Sequence, residues 1–185
     1  IAELNFRNAK DNAFAQTRAW SHTPESFIRD DAANPPVDGR IRRTDCSQVT
    51  DGAAGVVLAG PVTAAAWAKE RGVDLAEVPR ITGWGHRTVG LPLADKLERS
   101  AGDEYVLPHV RRAITDAFER AGVADVGGID GIETHDCFTV TEYLAIDHFG
   151  VTAPGQAWKA IEAGTCEAGG ALPMTTNGGM LSQGH

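Results

Sequence analysis

The chain has 185 residues, 42% of them hydrophobic and 23% charged, a balance that excludes a disordered segment and fits one large domain or one and a fraction. A net charge of −8 excludes a general nucleic-acid binder, which needs a clustered basic face. No apolar run approaches the roughly 20 residues needed to span a bilayer, and the first residues, Ile1 to Arg7, lack the basic start and apolar centre of a signal peptide.

With no initiator Met and a stop at Gly184-His185, both ends read as cut, so the chain is expected to be a fragment of a longer protein. Cys46, Cys137 and Cys166 are odd in number, widely spaced and without a CxxC pair. This predicts a reducing, intracellular setting with thiols kept for chemistry or packing.

Residues 1–20 carry Ala2, Leu4, Phe6, Ala9, Ala13 and Phe14 in an irregular helical pattern. Residues 21–40, with three prolines, read as an irregular connection with one short helix around Pro24 to Asp30. Arg40-Ile-Arg-Arg43 is a small basic cluster, either a solvated strand end or a phosphate contact. The run Ala53 to Ala59 predicts a strand buried on both faces, its small residues allowing close approach of another element. Cys46, just before it, reads as a small buried residue.

Pro61 to Arg71 predicts a helix opened by proline and stopped by Gly72. Pro79 to Gly85 reads as a strand running into a glycine turn. His86 after it is a surface or capping histidine or, less simply, a ligand. A short helix follows Pro92. The clearest helix is Pro108 to Ala121, with Val110, Ile114, Ala117, Phe118 and Ala121 on one face and Gly122 as its stop. Gly128 to Glu133 reads as a strand, Thr139 to Phe149 as a helix ended by Gly150, and Pro154 to Glu162 as a short helix. The tail from Asn177 reads as a glycine turn, a short strand-like piece and another turn. Alternating helices and strands predict an open α/β sheet.

The stretch Glu133-Thr-His-Asp-Cys-Phe138 joins a predicted strand to a predicted helix. A helix start offers free N–H groups and a positive dipole end, where a thiol is easier to deprotonate than in a core. Three readings of His135, Asp136 and Cys137 compete. The first is a metal site drawing on His135, Cys137, His148, Cys166 and His185, whose spacing matches no zinc pattern. The second is structural: a buried Cys, a satisfied His and an Asp capping the following helix. The third is acid/base chemistry, with Cys137 exchanging a proton and His135 donating to a developing oxyanion. His185, after a glycine turn, is a second imidazole that could join that centre.

Three motifs, Thr50-Asp-Gly-Ala-Ala54, His135-Asp-Cys-Phe138 and Asn177-Gly-Gly179 leading to Gly184-His185, resemble the thiolase superfamily, specifically its sterol-carrier-protein type. The His-Asp-Cys-Phe motif is the most specific, since other thiolases have Asn-Glu-Ala-Phe there. The resemblance covers nearly the whole chain and corresponds to roughly the last half of such an enzyme. It implies an α/β thiolase fold, layered helices around a mixed sheet, incomplete at both ends. Residues 1–60 would be the end of the loop region and last strand of the N-terminal half, and residues 61–185 a truncated C-terminal half.

The resemblance also implies roles. Cys137 matches the acid/base cysteine, His135 an oxyanion-hole residue, and His185 the histidine of a Gly-His-Pro motif that activates the nucleophilic cysteine. The implied reaction is acyl-CoA C-acyl transfer: thiolysis of 3-oxoacyl-CoA, or the reverse Claisen condensation. Coenzyme A and acyl-CoA are substrates, with no permanently bound cofactor and no metal. A homodimer or higher oligomer is implied, without nucleic acid or a membrane span. The composition, rich in Ala, Gly, Arg and Asp, points to a bacterial cytoplasm; a eukaryotic relative would be peroxisomal. The nucleophilic cysteine belongs to the N-terminal half, and Cys46 does not take its place. Thr175 stands where relatives often have Asn. The alternatives are a thiolase-like aldolase of steroid side-chain breakdown, which often carries Tyr in place of His135, and a catalytically silent scaffold subunit.

Overall fold

The computed structural model describes residues 1–185. Helices dominate: α1 (Ala2–Asp11), α2 (Pro61–Arg71), α3 (Leu93–Ser100), α4 (Pro108–Ala121), α5 (Thr139–Phe149), α6 (Ala157–Glu162) and α7 (Gly179–Ser182). Two strands, β1 (Pro36–Asp38) and β2 (Ile41–Arg42), form an antiparallel hairpin. Elsewhere strand pairing is reduced to single bridges, Cys46 with Phe138 and Ile132 with Met174. The α/β character holds, but the sheet is far smaller than the alternation of elements predicts.

The predicted strand at 53–59 is corrected. Residues 51–59 make no backbone hydrogen bond, and Val56 and Val57 are 86% and 98% exposed. A strand needs a neighbour for its N–H and C=O groups, and none lies beside this run. The predicted strand at 79–85 is likewise irregular. Its glycines serve a close approach instead: a Cβ on Gly85 would stand 1.7 Å from the Ala113 carbonyl oxygen of α4. The run 128–133 keeps only its end, where Ile132 N–H donates to Pro173 O and Thr175 N–H to Ile132 O. The tail is corrected too: Met180 and Leu181 lie in α7, not in a strand.

The helices fall where their stops predict. α2, α4 and α5 each end on a left-handed glycine, Gly72, Gly122 and Gly150, the position where a residue without Cβ carries no steric cost. The helix expected from Pro154 begins at Ala157, and Pro24–Phe27 is a 3-10 turn. The basic cluster anchors the hairpin. Arg42 donates to Asp31 and to the Asn34 carbonyl, and Arg43 to the Ala33 carbonyl. His86 is exposed.

The main core packs Ile146 and Ala145 of α5 against Ala157 and Ala160 of α6, with Ile132, Cys166, Leu172 and Met174 closing it. A smaller core joins Ala2 and Phe6 of α1 to Leu181 of α7. The two cores flank the junction at 133–138, so each side of that loop rests on a packed helix. No helix is long and apolar enough to cross a membrane.

Candidate active site

Three chain segments converge on the junction. The first is the loop 133–138 running into α5. Phe138 is the extended N-cap of that helix, and Cys137 precedes it. Cys137 O accepts from Ser47 N–H at 2.9 Å, which ties the loop to the segment that continues to Thr50. The second is that segment itself. The third is the tail, where Gln16 N–H donates to Gln183 O and Thr17 N–H to Ser182 O, holding residues 182–183 against the chain after α1.

These segments bring His135, Cys137 and His185 together. His135 Nε2 lies 2.8 Å from Cys137 Sγ. The rings of His135 and His185 are 6.4 Å apart between centroids and nearly perpendicular, at 73°. His185 N–H donates to Thr50 Oγ1 at 3.3 Å. A Cβ on Gly52 would stand 2.1 Å from His185 O, so only glycine admits the tail there. Both rings line a cavity of about 620 Å³, together with Glu133, Asn177, Gly52 and Met180.

Cys137 is partly buried. Burial, and then the neighbouring Asp136 carboxylate, push its thiol up, against the pull of the Cys137 and Phe138 N–H groups. The N–H groups at the helix start favour the thiolate, but desolvation outweighs them. The thiol is therefore a neutral S–H at rest and not a standing thiolate. Glu133 is also raised, first by burial and then by Asp136, while the Thr176 N–H and the Asn177 side chain lower it.

Asp136 does not cap the following helix. Its Oδ1 accepts from Met180 N–H at 2.6 Å, at the start of α7 in the tail. Its Oδ2 accepts from Asn5 Nδ2 at 2.8 Å. No side chain caps α5; at its start Thr141 N–H donates to Phe138 O, and the Thr139 hydroxyl donates to Asp45 Oδ1.

Asn5 lies outside every motif of the chain. Its other amide hydrogen goes to Glu142 Oε2 at 2.6 Å, and its Oδ1 accepts from Thr175 Oγ1 at 3.2 Å. Asn5, Asp136, Glu142 and Thr175 are all fully buried. A signal existed: Asn5 and Asn8 share the inward face of α1 with Ala2, Phe6 and Ala9, and a polar side chain on a core-facing stripe needs buried partners.

The metal reading gathers no ligands, since no group of three or more His, Cys, Asp or Glu converges. His148 of α5 accepts from the N–H of Leu107, the residue before α4, and Cys166 lies in the main core with its thiol pushed up to about 11 by burial. Cys46 is half-buried, its Sγ against Arg42 O.

Residues 94–185 match the family model described as thiolase C-terminal domain-like. The acetyl-CoA acetyltransferase of Methanothermobacter thermautotrophicus is 28% identical over 185 residues, covering all of this chain and 44% of that protein. Human sterol carrier protein 2 is 23% identical over 191 residues, covering the whole chain and 32% of its own length. Among solved structures, an Ltp2-ChsH2(DUF35) aldolase superposes with a TM-score of 0.69 at 20% identity, covering the whole chain and 45% of that one, a likeness of fold. The chain thus spans less than half the length of these relatives.

Proposed function

Since the chain belongs to the thiolase superfamily, its residues 94–185 matching the C-terminal domain-like family, we propose that it forms the C-terminal part of an acyl-CoA C-acyltransferase acting on 3-oxoacyl-CoA. The observation that carries this reading is the 2.8 Å contact of His135 Nε2 with Cys137 Sγ, with the His135 ring sharing the lining of one cavity with His185. Two imidazoles can donate to a thioester oxygen as it becomes an enolate. A neutral thiol beside them can protonate C2 of that enolate.

In the thiolytic direction a nucleophilic thiolate adds to the C3 carbonyl. The C2–C3 bond then breaks, leaving the acyl group on the nucleophile as a thioester and the electron pair on the acetyl-CoA enolate. Cys137 gives its S–H proton to C2, releasing acetyl-CoA. Coenzyme A then takes the acyl group, and its thiol proton restores Cys137. The nucleophile would come from outside these residues: Cys166 is in the core and Cys46 is turned to a backbone carbonyl. The division near residue 60, acyl-CoA and coenzyme A as substrates, a dimer or higher oligomer and a role in lipid metabolism belong to the same reading.

The test is steady-state kinetics of the complete protein with a 3-oxoacyl-CoA and coenzyme A. Cys137→Ala should lower turnover by about 10²–10⁴-fold, the usual contribution of a positioned acid/base group. Cys46→Ala should stay near the parent. If Cys137→Ala kept full turnover, the assignment of the proton donor would fall. Cleavage without transfer to coenzyme A would move the function to a lyase, and no turnover in the parent would leave a scaffold.

A further inference from the structure

We propose that Asp136 is a positioning residue that sets the separation of the His135–Cys137 pair from His185, with Asn5 and Glu142 as its buried mount. The inference deepens the acyl-transfer reading and rests on it for the identity of the reacting groups. Its geometry stands independently.

Asp136 lies between His135 and Cys137 in the chain, yet its side chain points away from the cavity into the protein, with no exposure. One oxygen holds the tail through Met180 N–H, and the other is held by Asn5 of α1. A single carboxylate therefore clamps the loop bearing one imidazole and the thiol to the short helix that leads to the other imidazole. Four residues separate Met180 from His185, and the first two of them lie in the helical turn of α7. Gly179 shows how tight the clamp is. Its φ is +60°, and a Cβ there would stand 2.0 Å from Asp136 Oδ2.

The mount is equally specific. Asn5 has two amide hydrogens, and both are used, one on each carboxylate. Its carbonyl oxygen takes the Thr175 hydroxyl. Thr175 holds a positive φ of 44°, a conformation a β-branched residue adopts only when its surroundings impose it. Asn8 Nδ2 fixes the same residue's carbonyl. α1, the 173–178 turn and α5 thus lock onto one amide. A network this buried costs stability wherever a partner is missing, and Glu142 Oε1 has none. Four polar side chains in that position suit precision of placement better than stability.

The experiment compares Asp136→Asn and Asn5→Ala with the parent chain, on a Cys46→Ala background so that Cys137 is the accessible thiol. Three quantities are read: the NMR ring-proton contact between His135 and His185, the pH midpoint of iodoacetamide attack on Cys137, and the melting temperature. Asn5→Ala should abolish the ring contact while the fold survives. Asp136→Asn should do the same and also move the alkylation midpoint to lower pH, since the carboxylate that raises the thiol is gone. In the complete protein both variants should lower kcat roughly 10–100-fold with KM little changed, as misplacement of reacting groups does. If both variants melt earlier yet keep the ring contact and the parent midpoint, Asp136 is only structural and the inference is overturned. Should Asp136→Asn fail to fold, Asn5→Ala decides. A parent without acyl-transfer activity would sink the functional reading, while the ring contact and midpoint would still judge this one.

Discussion

Glu142→Gln gives the sharpest test of the buried mount. Glu142 is fully buried on α5, accepts one hydrogen bond from Asn5, and leaves Oε1 without a donor. Burial, the dominant influence, holds its carboxyl above the ordinary range, and Asp136 adds to this, against the Asn5 hydrogen bond and the N-terminal amine. The folded chain therefore keeps this proton at a pH where the unfolded chain has released it. Stability from that protonation is complete below the unfolded value, about 4.3, and is lost as pH rises through the folded one. Glutamine keeps the acceptor for Asn5 and never ionises. An unsatisfied buried polar group costs about 1–3 kcal/mol, and the new amide nitrogen also lacks a partner, which returns part of the gain. The expected net is about 1 kcal/mol in favour of the variant at pH 7, a rise of about 2–4 °C in melting temperature for a chain of this length. Near pH 4 the two proteins should melt together. Calorimetry or circular-dichroism melts from pH 4 to 8 measure both ends. A variant that is less stable than the parent at pH 7 would show that Glu142 is held as a stabilised charge, and the reasoning about the mount would fail.

Two further substitutions separate close packing from surface electrostatics. Gly179→Ala places a Cβ against Asp136 Oδ2 at a positive φ and should cost about 3 kcal/mol or more, seen as a lower denaturation midpoint with the denaturant slope unchanged. Arg7→Ala removes an exposed ion pair with Glu167 at 2.9 Å and should change stability by less than about 1 kcal/mol, an effect that vanishes in high salt.

The helices were legible because their signals are local. Proline at the start and glycine at the stop placed α2 and α4, and the 3.6-residue stripe of α4 is continuous. The strand at 53–59 was not, because an apolar run states only that a face wants cover, while a strand exists through hydrogen bonds to a neighbour. Val56, Val57 and Leu58 keep the composition of a strand with none of the pairing. At the site, His135, Cys137 and His185 were named from motif and resemblance, and their meeting depends on contacts 50 residues apart that no spacing records. Asp136 shows the limit well. An Asp beside a helix start has a local partner by default, yet here the acceptor serves a helix more than forty residues later. Only tertiary contact decides between the two.

The same carboxylate carries two consequences that pull against each other. As a clamp, Asp136 must stay on Met180 N–H and Asn5 to fix the imidazoles. As a neighbouring charge, it adds to the burial that raises the Cys137 thiol and opposes the helix-start N–H groups that would lower it. For a nucleophile this would be a defect, because the thiolate would be scarce. For a proton donor it is an advantage: a neutral S–H holds its proton until a carbanion forms beside it, and it does not compete for the acyl group. In the proposed reaction, burial and the Asp136 charge together suit Cys137 to donate a proton beside His135 and not to attack a carbonyl.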